Sequence, residues 1–120
     1  MTVTKIVKLD NLNPKQEYIK EAGDILSAGG LVIIPTETVY GIAANILNKK
    51  AVDRLYGIKE RPNDKPFSLH IDNQDEVAEF AKEIPIRAYK LMDKFWPGPL
   101  TLILRAKGRD TVRNYIPPSR

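Results

Sequence analysis

The run Gly29-Gly30-Leu31-Val32-Ile33-Ile34-Pro35 restricts the fold more than any other part of the sequence. Two glycines end the helix before them, because glycine takes the left-handed conformation of a helix C-terminus at little cost. Residues 31–34 are continuously apolar, the pattern of a strand covered on both faces. Pro35 has no N–H to donate, so the strand's ladder stops there. A helix end, a buried-type strand and a forced stop in one short stretch point to an α/β chain.

Polar groups follow at two neighbouring chain reversals. In Pro35-Thr36-Glu37-Thr38-Val39-Tyr40-Gly41 the three hydroxyl residues fall at alternate positions, and they point one way if the segment stays extended. Converging hydroxyls suit a small polar ligand; equally, threonine and tyrosine simply favour strands. Lys59, Arg61 and Lys65 then place three cations in a loop stiffened by Pro62 and Pro66, which reduces the entropy lost on binding. Such a loop suits a triphosphate, each charge-assisted contact contributing on the order of 1.5–3 kcal/mol. With Glu60 and Asp64 between them, the same cations also read as a locally paired surface loop.

In Phe67-Ser68-Leu69-His70-Ile71 the apolar residues share one face, which leaves Ser68 and His70 together on the other. His70 is the only histidine, the residue type that titrates nearest neutral pH. A single strand histidine is also at home as a structural residue. Thr101 and Arg105 lie at the two ends of another short apolar strand, and Arg105 reads equally as a solvated strand end.

The remaining pattern is regular. Residues 3–9 alternate loosely, as a first strand. Asn13-Pro14 is a helix start, followed by Tyr18, Ile19, Ala22, Ile25 and Leu26 at helical spacing. Asn48 caps a second helix that buries Ala51, Val52, Leu55 and Tyr56. Asp72 or Asn73 starts a third through Val77, Phe80 and Ala81. A fourth, after Pro85, turns Ile86, Tyr89, Met92 and Phe95 inward and stops at Trp96-Pro97-Gly98-Pro99. The expectation is a single α/β domain over residues 1–120, its sheet flanked by helices.

Absences narrow the chemistry. Without cysteine there is no disulfide, thiolate nucleophile or cysteine metal site. One histidine cannot form a multi-histidine metal centre. The usual phosphate loop, the dinucleotide fingerprint and the hydrolase nucleophile elbow are all missing. The lack of cysteine fits a cytoplasmic location; no apolar run approaches the roughly 20 residues of a membrane span, and no signal-peptide core follows Met1. Residues 105–120 carry Arg105, Lys107, Arg109, Arg113 and Arg120 against Asp110, and so hold the whole formal net charge of +4. A basic end on a neutral body suits an anionic ligand or nucleic acid, or is a solvated tail.

Three segments in this order, residues 35–41, Lys59-x-Arg61-Pro62 running to His70-Ile71, and Trp96-Pro97-Gly98-Pro99-Leu100-Thr101, resemble the YrdC/Sua5 family of threonylcarbamoyl-AMP synthases. The likeness runs from the first helix to about residue 104 and more loosely beyond. It implies a YrdC-like twisted mixed sheet flanked by helices. It also implies that L-threonine, bicarbonate and ATP give threonylcarbamoyl-AMP and pyrophosphate, the threonylcarbamoyl group going on to adenosine 37 of tRNA. By motif position, Thr38, His70 and Arg105 would contact threonine, and Arg61, Lys65 and Thr101 would contact ATP. Lys59 would lie near the phosphates or the bicarbonate-derived carboxylate, with Thr36, Tyr40 and Ser68 as secondary members. Magnesium would accompany ATP. No protein nucleophile and no metal-ligating residue are implied, so catalysis would rest on positioning and electrostatics.

Expected partners are the three substrates and tRNA or tRNA-modifying transfer proteins, with double-stranded RNA binding and no membrane. The family's further arginine-bearing strand and Ser-x-Asn motif have no counterpart here, so the chain is expected to be the N-terminal portion of the domain, incomplete at its C-terminus. Two alternatives stay open. One is a carbamoyl-AMP-forming relative, whose longer chains carry zinc-finger-like cysteines; the other is a non-catalytic RNA-binding module resting on the basic end.

Overall fold

The computed structural model describes residues 3–62 and 65–107. Helix α1 (Gln16–Ser27) is amphipathic, and Tyr18, Ala22 and Leu26 on its apolar face are half-buried. It begins after Lys15 rather than at Asn13-Pro14, because Lys15 is still extended at φ −67°, ψ 131°. Its end follows the glycine pattern. Gly29 stands at φ 90°, its amide donates to the Leu26 carbonyl at 3.0 Å, and the Gly30 amide donates to Ile25 at 2.8 Å. These two bonds satisfy carbonyls that the helix leaves without partners. A Cβ on Gly29 would come within 2.6 Å of the Asn48 side chain, so this glycine also lets the end of α1 approach the next helix.

Strand β1 (Val32–Ile34) pairs antiparallel with β2 (Gly41–Ala43) in the register Val32↔Ala43, Ile33↔Ile42, Ile34↔Gly41. The expected strand is present, but not covered on both faces: Ile33 is 65% exposed. Residues 3–9 form no strand; Lys5 instead reaches Glu21 of α1 at 2.7 Å. That carboxylate holds the Lys5 ammonium above its ordinary pKa, first through the hydrogen bond and then through charge.

Helix α2 (Lys49–Lys59) is capped by Asn48, whose side chain accepts from the Ala51 amide at 3.0 Å. It buries Ala51, Val52, Leu55 and Tyr56. After the cationic loop, residues 67–71 alternate as expected, with Phe67, Leu69 and Ile71 half-buried and Ser68 and His70 exposed. They are extended but make no ladder with a described neighbour, and so are not a strand here.

Asn73 accepts from the Asp75 amide at 2.9 Å and opens a short 3-10 turn (Gln74–Glu76) that runs into α3 (Val77–Phe80). Ala81 is not helical but starts β3 (Ala81–Lys82), which pairs antiparallel with β4 (Arg105–Ala106). Between them, α4 (Ile86–Phe95) buries Ala88 and Met92. The expected inward set is thus rotated: Met92 is fully buried while Ile86 is 75% exposed. The small Ala88, one turn before Met92, sets the packing face in place of the bulkier residues. The Trp96 amide closes the helix on the Met92 carbonyl at 2.9 Å, and its indole N–H donates to Leu100 at 2.7 Å. A Cβ on Gly98 would lie 2.4 Å from the Phe95 carbonyl oxygen, so only glycine fits this reversal.

Residues 100–104 lead to β4 without a ladder of their own, and Leu102 and Leu104 turn inward. The apolar interior falls into two clusters. One joins Val77, Ala81, Ala88 and Met92, with Ile71, Ile84, Trp96, Leu102 and Leu104 packed on it. The other joins Val52 and Tyr56, with Ile46 and Phe67 packed on it. Residues 67–71 therefore span the two, Phe67 in one and Ile71 in the other. The α/β class stands, with the sheet among the described residues divided into two antiparallel pairs.

Candidate functional site

The hydroxyl segment does not stay extended, because residues 35–40 must reverse the chain between β1 and β2. Thr36 makes that reversal. Its hydroxyl donates to the Val39 carbonyl and accepts from the amides of Thr38 at 3.4 Å and Val39 at 3.2 Å. One donor and two lone pairs are thereby used inside the turn. Thr38 and Tyr40 are exposed on it, and among the described residues neither side chain has a hydrogen-bond partner.

The cationic loop is built differently. Arg61 folds back on the chain, donating from Nε to the Lys65 carbonyl at 3.2 Å and from Nη2 to the Pro66 carbonyl at 2.9 Å. Tyr56, from the buried face of α2, donates its hydroxyl to the same Lys65 carbonyl at 2.8 Å. The guanidinium carbon of Arg61 stands 4.8 Å from the centroid of the Phe67 ring, and Lys59 Nζ stands 5.9 Å from it. Phe67 in turn meets the Tyr56 ring at 4.6 Å between centroids, tilted by 52°. The Lys59 and Arg61 side chains and the Lys65 carbonyl are thus brought to one aromatic pair, which sequence reasoning placed on apolar faces and did not connect with the loop. The available signal was an aromatic residue on each side of a cationic, proline-bounded loop.

The remaining candidates lie on exposed faces. Ser68 and His70 point away from the apolar interior, as do Thr101 and Arg105 on the second extended segment. Ile71, Leu102 and Leu104 pack on one buried cluster, so His70, Thr101 and Arg105 are carried by segments with a common anchor. Arg105 is held by Glu83, Nη1 to Oε2 at 2.6 Å, a partner that the sequence pattern did not suggest. Of the basic end, Lys107 donates to the Ala78 carbonyl at 3.0 Å, while Arg109, Arg113 and Arg120 lie outside the described residues.

An open depression of about 430 Å³ is lined by Asp53, Tyr56, Gly57, Glu60 and Arg61. Its two carboxylates share the lining with Arg61, and that of Asp53 is paired with Lys49 at 2.9 Å. Among the described residues there is no cluster of three or more His, Cys, Asp or Glu side chains able to hold a metal, and no helix long and apolar enough to cross a membrane.

The sequence model of a protein family described as telomere recombination, Sua5/YciO/YrdC, matches residues 24–120. A threonylcarbamoyl-AMP synthase of Pyrococcus abyssi is 48% identical over 86 residues, covering 72% of this chain and 25% of that protein. A putative threonylcarbamoyl-AMP synthase of Methanocaldococcus jannaschii is 43% identical over 108 residues, covering 86% of this chain and 50% of its own length. The crystal structure of P. abyssi Sua5 complexed with L-threonine superposes with a TM-score of 0.79 at 41% identity, over 86% of this chain and 30% of that one. The chain therefore spans between a quarter and a half of the length of these relatives.

Proposed function

The chain belongs to the Sua5/YciO/YrdC family, and from that premise we propose that it carries part of the site where L-threonine, bicarbonate and ATP become threonylcarbamoyl-AMP and pyrophosphate. The observation that carries the reading is the fixed cationic loop, in a chain that superposes on a protein solved with L-threonine. Arg61 and Lys65, with Lys59 beside them, take the phosphates. Thr101 adds a hydroxyl to the nucleotide. Thr38, on the tip of the hairpin, and His70 take the polar end of threonine, and Arg105 takes its carboxylate once Glu83 releases it. Thr36 shapes the turn that presents Thr38, while Tyr40 and Ser68 flank the same faces.

In chemical terms, the threonine amine loses a proton and adds to carbon dioxide, or to bicarbonate with loss of water. A carbamate oxygen then bonds to the α-phosphorus as the bond to the β-bridging oxygen breaks, and pyrophosphate departs with that electron pair. The protein holds the reacting groups in line and offsets charge gathering on the leaving group. No side chain becomes covalently attached. Magnesium bound with ATP would share with Lys59, Arg61 and Lys65 the work of offsetting phosphate charge. The threonylcarbamoyl group is destined for tRNA, directly or through transfer proteins, in the cytoplasm.

The test is pyrophosphate release by the intact protein, with threonine or bicarbonate omitted in turn. Release that needs both is expected. Arg61→Ala should lower kcat/KM about 10- to 150-fold, as loss of a charge-assisted contact implies, and His70→Ala should act mainly on the KM for threonine. Release indifferent to threonine, or wild-type rates in both variants, would overturn the reading.

A further inference from the structure

Phe67 has no polar atom and touches no proposed substrate group, yet three features of the loop converge on it. The Arg61 guanidinium lies over its ring at 4.8 Å and Lys59 Nζ at 5.9 Å. The Tyr56 ring, only 6% exposed, buttresses it at 4.6 Å. The carbonyls immediately before it, of Lys65 and Pro66, receive the Arg61 donors, and that of Lys65 also receives the Tyr56 hydroxyl. We propose that Phe67 is a positioning residue whose ring face holds Arg61 and Lys59 ready for a polyphosphate.

The physical reason is the cost of gathering like charges. Two cations brought close enough to serve one polyphosphate repel each other until the ligand arrives. An aromatic ring carries a negative face, and a cation within about 6 Å of its centroid is attracted to it. Phe67 therefore offsets part of that repulsion in the free protein. The two carbonyls fix the guanidinium through Nε and Nη2, which leaves Nη1 for a ligand. A buried tyrosine behind the phenylalanine keeps the ring itself from turning away. Any apolar residue would fill the space beside Val52 and Tyr56, but only an aromatic one supplies the negative face.

The inference rests on the proposed use of the loop for ATP, and the experiment separates the two. Pyrophosphate release by the intact protein is measured against ATP concentration for Arg61→Ala, Phe67→Leu and Phe67→Tyr. A series with one, two and three fluorines on the Phe67 ring follows, since fluorine drains the ring face while leaving its shape nearly unchanged. Phe67→Leu is expected to raise the KM for ATP about three- to tenfold with kcat within about twofold. Phe67→Tyr should restore it, and log KM should climb stepwise with fluorination. Thermal melting is recorded for each protein, because a packing role alone would lower the melting temperature without a fluorine-dependent KM. If Arg61→Ala raises KM while the fluorinated series stays flat, this proposal fails and the ATP reading stands. If Arg61→Ala leaves KM unchanged, the ATP reading fails and takes this one with it.

Discussion

The hairpin tip at residues 35–40 and the loop carrying Lys59, Arg61 and Lys65 both present polar groups at chain reversals, yet a single hydroxyl holds one, while an aromatic pair, Tyr56 buried and Phe67 half-buried, backs the other. Tyr40 on the tip is 77% exposed, whereas Tyr56 under the loop is 6% exposed. Arg61 is therefore already tied to two carbonyls and an aromatic ring in the folded chain, whereas the exposed Thr38 and Tyr40 side chains keep rotamer freedom that a contact would cost. A polyphosphate would meet cations already in place. A small amino acid would meet a tip that can still adjust.

The largest test of this contrast is the pair of tyrosines. Tyr56→Ala removes a buried ring, its contact with Phe67 and the hydroxyl bond to Lys65, and is expected to cost about 3–5 kcal/mol. Tyr40→Ala removes a ring that faces solvent and should stay within about 0.5 kcal/mol. Urea titration of both variants against the parent reads the difference as a shift in midpoint at constant slope. Similar midpoints for the two variants would erase the distinction between the regions.

A smaller effect isolates the tip. Thr36→Val keeps the shape of the side chain and deletes the three hydrogen bonds of its hydroxyl. The turn is exposed, so the expected loss is about 0.5–1.5 kcal/mol. The sharper readout is amide hydrogen exchange. The Thr38 and Val39 amides should exchange faster, while that of Arg61, which donates to the Tyr56 carbonyl at 3.1 Å, should not change. Acceleration at both places would mean that the two reversals share one cooperative unit.

How far the sequence foretold this depends on whether the signal was local. Helix α2 was legible because a cap and a buried face both lie within the segment: Asn48 does accept from Ala51, and Val52 and Tyr56 do face inward. The two-residue period at residues 67–71 was legible for the same reason. What could not be read was pairing. Residues 31–34 look like a strand covered on both faces, but pleat and apolar content do not identify a partner, and among the described residues the partner proves to be Gly41–Ala43. The alternation of Thr36, Thr38 and Tyr40 assumed an extended chain, and the need to reverse into β2 removed that premise. In α4 the expected inward face held for Met92, but close packing joined Ala88 to it in place of Ile86, Tyr89 and Phe95. At the candidate site, residue types and order were readable, but the clamp of Arg61 on two carbonyls and the pairing of Arg105 with Glu83 depend on three-dimensional proximity.

The entry to the loop provides the subtlest test. Glu60 ends α2 in the left-handed region, at φ 51° and ψ 38°, where its amide donates to Gly57 at 3.3 Å. That position usually belongs to glycine, because a Cβ there crowds the neighbouring carbonyl. A carboxylate at a helix C-terminus also faces the negative end of the helix dipole. Glu60→Gly should therefore stabilise the chain by up to about 1 kcal/mol, since it removes both penalties while its backbone bonds persist. Glu60→Ala removes the charge and keeps the crowding, so its gain should be no more than about half as large. The two variants, compared by thermal melting at low and high salt, separate the causes: the charge contribution shrinks with salt and the steric one does not. If Glu60→Ala matched Glu60→Gly at every salt concentration, the left-handed turn would carry no strain, and the fixed loop would be held by its aromatic pair without opposition from its own entry.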